Sequence, residues 1–159
     1  MTTKADFNAE EWQQVAGAPA IAGFIVATAQ KGGTIRETMA MGKAYAEAKK
    51  EHGDSDLLGE IVATSPQPDL KGIESKDELR LEGLAKLREA VELLESKATA
   101  EEVDGYRAFT LTVAQRAAEA DKSGGVVGIG GERVSDAERE ALAAVAEALG
   151  TQPPESPAG

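Results

Sequence analysis

Leu84, Leu87, Val91, Leu94 and Ala98 recur at alternating spacings of three and four residues. That spacing lines them along one face of an α-helix. Val103, Tyr106, Thr110, Val113, Ala117 and Ala120 repeat the pattern immediately afterwards. A polar cap at Thr99 separates the two sets, which predicts an antiparallel helical hairpin with almost no loop. Leu142, Val145 and Leu149 mark a final short helix, closed by Gly150 as its C-terminal cap. Upstream, the apolar stretch from Val15 to Ala29 reads as a buried helix, broken or kinked near Pro19. Lys31-Gly32-Gly33 ends it. Thr34 then caps a second helix that turns Ile35, Met39, Gly42 and Ala46 inward and stops at Gly53. Leu57, Leu58, Ile61 and Val62 belong to a short third helix started by Asp54 or Ser55. Ser65-Pro66-Gln67-Pro68 breaks that helix, and a connecting loop runs to Glu74.

Four helix starts carry their own chemistry. Asn8–Glu11, Ser75–Glu78, Thr99–Glu102 and Ser135–Glu138 each place a capping side chain three residues before a glutamate. The cap oxygen accepts an orphan backbone N–H, and the glutamate reaches back to the cap's own N–H. Phe7 and Trp12 sit where a hydrophobic staple clamps the first of these, as do Ala98 and Val103 around Thr99.

The run Gly124-Gly125-Val126-Val127-Gly128-Ile129-Gly130-Gly131 stands apart. It combines backbone freedom with apolar side chains, so it either docks on the helical core or offers an adhesive flap to a partner. Residues 126–129 also suit a small β-hairpin with 132–134 across Gly130-Gly131. Together these signals predict an all-α fold: a compact bundle of five to six helices in one domain spanning residues 1–150. The proline-containing residues 151–159 read as a disordered tail.

Composition narrows the function classes. The chain has 159 residues and a formal net charge of −11. A field of that sign repels phosphate backbones and anionic membranes, so no nucleic-acid or membrane partner is expected. Aromatic residues make up only 4%, leaving alanine, leucine and valine to fill the core. There is no cysteine, which excludes disulfides and thiolate chemistry and fits a cytoplasmic setting. The Val15–Ala29 stretch is too short to span a bilayer, and the acidic residues before it have the wrong sign for a secretory leader.

Catalytic and ligand motifs are weighed against plainer roles. Gly125, Gly128 and Gly130 match neither the dinucleotide fingerprint nor the P-loop spacing. Asp121, Ser123, Gly125 and Glu132 fall at positions one, three, five and twelve of a calcium-type loop. There, however, Val126 occupies the position that demands glycine. His52 is the only histidine, and Lys49 stands where a di-iron bundle needs glutamate, so His52 reads as a partner of a helix C-terminus. The serines at 55, 65, 75, 123 and 135 sit at caps and turns rather than in a nucleophile elbow. The row Ala16, Ala20, Gly23 and Ala27 suits a close internal seam or a subunit contact. No catalytic residue, metal site or cofactor is assigned.

Gly131-Glu132-Arg133-Val134-Ser135-Asp136-Ala137-Glu138-Arg139, with Leu142 and Glu147-Ala148-Leu149-Gly150, resembles the loop-plus-helix segment of TerB-like tellurite-resistance domains. The resemblance implies a compact helical fold linked to metal stress, with acidic loop residues that bind cations. That family's loop opens with Asp-Gly, whereas this chain has Gly131-Glu132. Glu132, Asp136 and Glu138 are thus the local oxygen donors. Two readings result. The first is a non-enzymatic helical domain that contacts a protein partner or a second copy through Val126, Val127 and Ile129. The second is a TerB-like cation-binding stress protein.

Overall fold

The computed structural model describes residues 2–29, 42–50, 57–64, 70–120 and 136–151, and among these every regular element is helical. A single 3-10 turn over Lys4–Asp6 precedes α1, Ala9–Ala27. Residues 42–50 form part of α2. Then come α3, Leu57–Ala63, α4, Lys76–Lys97, α5, Ala100–Ala120, and α6, Asp136–Leu149. The expected all-α bundle is what forms.

α1 is the axis of the molecule. Every residue from Val15 to Gly23 is buried. A helix that is apolar all round has no solvent face to offer, so its neighbours must enclose it. α4 and α5 supply most of that cover, and α6 bridges α4, α5 and α1. The α4–α5 hairpin therefore differs from the simple antiparallel pair that periodicity predicts. Only Ala98 and Thr99 separate the two helices, as expected, but each packs more extensively on α1 than on the other. The small row Ala16, Ala20, Gly23 and Ala27 is buried within the chain, as an internal seam.

Of the expected break or kink at Pro19, the break does not occur. α1 runs continuously through that residue. Proline lacks the N–H that would bond to the carbonyl four residues back, which here belongs to Val15. That carbonyl accepts instead from Tyr106 Oη at 2.7 Å, from the neighbouring α5. Tyr106 is 1% exposed. A tertiary hydrogen bond thus replaces the local one in the buried interior, where Val15 and Tyr106 are both at most 1% exposed.

Three of the four capping pairs lie within the described residues. Asn8 and Glu11 bond reciprocally at 2.8 and 2.9 Å, and Thr99 and Glu102 at 3.2 and 3.0 Å. Ser75 Oγ accepts from Glu78 N, but the Glu78 carboxylate accepts from Glu74 N, one residue before the cap. The ring centroids of Phe7 and Trp12 lie 5.6 Å apart, completing the staple. At the far end of the chain, Gly150 adopts φ +75°. Its N–H bonds to Glu147 O, and Thr151 N–H bonds to Ala146 O. This pair of bonds is a Schellman cap, which needs the left-handed residue that glycine supplies cheaply. Arg107 Nε donates to Leu149 O at 2.7 Å and occupies one more orphan carbonyl.

The inward face of α2 needs correction. Gly42 and Ala46 are exposed, whereas Ala44, Tyr45 and Ala48 are buried. Tyr45 sets the orientation, because it packs edge-on against Phe109 of α5 with centroids 5.1 Å apart. An aromatic ring outweighs a glycine and an alanine in the area it removes from water. Ile35, Met39, His52, Ser135 and the whole glycine run, including the proposed hairpin, lie outside the described residues.

Candidate interaction notch

α3 turns Leu57, Leu58 and Ile61 to one side, at the i, i+1, i+4 spacing of a single helical face. α5 presents Glu101, Glu102, Gly105 and Tyr106 opposite them. Between the two helices lies a notch of about 170 Å³. Its floor is dry core: Leu57, Ile61 and Tyr106 are each no more than 2% exposed. Its rim consists of the half-buried Leu58 and Gly105, with Glu101 facing solvent. Gly105 is what keeps the notch open. A Cβ built there meets no atom within 4 Å. Glycine inside a helix is unfavourable by about 1 kcal/mol against alanine, so a bulkier residue at 105 would favour the helix and close the notch.

The rim carboxylate of Glu102 is held in a fixed position. Oε1 accepts from Thr99 N at 3.0 Å and Thr2 Oγ1 at 2.9 Å, and Oε2 accepts from Thr2 N at 3.1 Å. Burial pushes its pKa up, but the hydrogen bonds from Thr99 and Thr2 prevail and hold it below the ordinary value. It therefore keeps its negative charge at neutral pH. The same N-terminal strap is tied to α3, where Lys4 N donates to Glu60 Oε2 at 2.6 Å. Lys97 Nζ donates to Asp6 O at 2.9 Å and pairs with Glu11 at 3.5 Å.

Two other clefts are more polar. One, of about 470 Å³, lies against Thr2, Asp6, Lys97, Ala98 and Thr99 at the α4–α5 junction. Thr2, Lys97 and Thr99 there are already engaged in the bonds just described. The other, of about 360 Å³, lies between α1 and α4, where Gln14 Nε2 donates to Glu89 at 3.1 Å.

A pair of buried tyrosines sits beneath α1. Burial pushes the phenol of Tyr106 well above its ordinary pKa, and the neighbouring Tyr45 adds to the rise. Burial also raises Tyr45, opposed weakly by the Ala20 backbone, although no hydrogen bond of normal geometry forms there. Among the described residues Tyr45 Oη is the buried side-chain polar atom left without a well-formed hydrogen bond.

Val126, Val127 and Ile129 lie outside the described residues, as does Glu132. Asp136 opens α6, and Glu138 in its first turn is 2% exposed. Among the described residues no three histidine, aspartate or glutamate side chains converge on a common point. Nor, among them, is any helix long and apolar enough to cross a membrane. The notch escaped sequence reading, because Gly105 in a helical repeat gives no sign of what faces it. Comparison with protein-family models, curated proteins and solved structures finds no match.

Proposed function

We propose that this chain is a non-enzymatic, helical interaction domain. The observation that carries the reading is the notch: a concave opening between α3 and α5, seated over the buried residues Leu57, Ile61 and Tyr106. Pockets that take one anchor side chain are where protein interfaces concentrate their binding energy. The chemistry of the rim supports binding over catalysis. No serine, threonine, cysteine, lysine or histidine lines the notch, and the Glu102 carboxylate is committed to three hydrogen bonds. The partner is a protein, and the bundle is its rigid support.

Gly105→Leu tests this reading, because the space to accept the side chain is already present. Light scattering over a range of concentrations, with affinity capture from source-cell extract, compares the variant with the parent. The expected result is a specific associate that the parent retains and the variant loses, with the melting temperature of the variant equal or higher. Equal retention by both proteins would rule the notch out as the contact.

A further inference from the structure

We propose, resting on the interaction reading above, that the notch receives one apolar side chain from a cationic segment of another protein. The floor and the charge argue this together. The cavity of about 170 Å³ accommodates one side chain of leucine or methionine size, not a whole helix face. Its surface offers that side chain Leu58, Gly105 and the stems of Glu101 and Glu102, over a floor of Leu57, Ile61 and Tyr106. A single anchor filling a desolvated pocket is the usual seat of binding energy at an interface. Glu101 and Glu102 stand beside it on the first turn of α5, the first exposed and the second fixed by the Thr2 clamp. Lysine or arginine flanking the anchor would meet these carboxylates as the anchor enters.

The charge of the whole molecule selects the same partner. At −11 it repels acidic segments and a second copy of itself, and it accelerates encounter with a cation. The occupant is therefore a basic segment of a different protein.

The full chain, isotopically labelled, is titrated with a synthetic helical peptide bearing one leucine among lysines. Two control peptides replace the leucine with serine or the lysines with glutamate. Backbone amide resonances of Ile61, Gly105 and Tyr106 report the binding. The expected result is perturbation of these three, an affinity that falls at least tenfold for each control peptide, and further weakening as salt is raised. Gly105→Leu should abolish binding. Glu101→Lys should weaken the lysine peptide and strengthen the glutamate peptide, and this holds the test open if the leucine variant folds poorly. Equal binding of the serine control overturns the anchor, and equal binding of the glutamate control overturns the charge selection. A dimer in solution that Gly105→Leu disperses would make the occupant a second copy and overturn the cationic partner. If the peptides fail but a partner sensitive to Gly105→Leu is recovered, only the cationic-anchor assignment falls. If neither binds, the interaction reading falls with it.

Discussion

Pro19 and Tyr106 are coupled across two helices through the carbonyl of Val15. Proline at the centre of a buried helix removes a donor, and a tyrosine on another helix supplies one. Removing that hydroxyl leaves a buried carbonyl without a partner, which costs about 1–3 kcal/mol. Tyr106→Phe should lose about that much in urea denaturation. The loss should shrink in a Pro19→Ala background, where an alanine N–H can reach Val15 O along the helix. A double-mutant cycle reads the coupling directly, and strictly additive losses would show that the two residues act independently. Tyr45 offers the opposite case. Its hydroxyl is buried and makes no hydrogen bond of normal geometry among the described residues, so it already carries a desolvation penalty. Tyr45→Phe should leave stability unchanged or raise it by up to about 1 kcal/mol, whereas a clear loss would reveal a partner for the hydroxyl.

At the scale of elements, two helical glycines do opposite work. In α4, a Cβ on Gly83 would lie 2.8 Å from Ile25 Cδ1 and 3.0 Å from Ile21 Cγ2, so Gly83 sets how closely α4 approaches α1. In α5, Gly105 has open space. Alanine at either position gains about 1 kcal/mol of helix propensity. At 83 it must also displace two buried isoleucines, and overpacking of that kind costs about 1–3 kcal/mol. Gly105→Ala should therefore raise the melting temperature, while Gly83→Ala should leave it unchanged or lower it. The contrast also shows what sequence conveys about an element. The Asn8–Glu11 and Thr99–Glu102 boxes, the Ser75 cap, the 84–98 and 103–117 faces and the Gly150 stop were legible, because each depends on neighbours within a few positions. The face of α2 was not, because Tyr45 against Phe109 decided it across the bundle. The notch was hidden for the same reason, since its two walls come from different helices.

At the scale of the molecule, the N-terminal strap joins residue 2 to residue 102 through one carboxylate. The pKa of Glu102 is lowered by folding, so the sign follows from linkage. Its contribution to stability is complete above the unfolded glutamate value of about 4.3 and is lost as pH falls through the lower folded value. Thermal melts between neutral pH and pH 3 should show a decline that is shallower in Glu102→Gln than in the parent. Identical slopes would mean the clamp contributes nothing to acid sensitivity. The same carboxylate forms the rim of the notch, so loosening the strap in acid should weaken capture of a cationic segment.

The sequence by itself determined that this chain is helical, where several of its helices start and stop, and that its surface is acidic. Those properties are local or additive: hydrogen bonds across one turn, periodicity along one face, charges that simply sum. The tertiary structure decided which helix lies at the centre, what completes the hydrogen bonding around Pro19 and where a notch forms between α3 and α5. Each of these depends on groups brought together from distant parts of the chain, and no spacing along the sequence records that meeting.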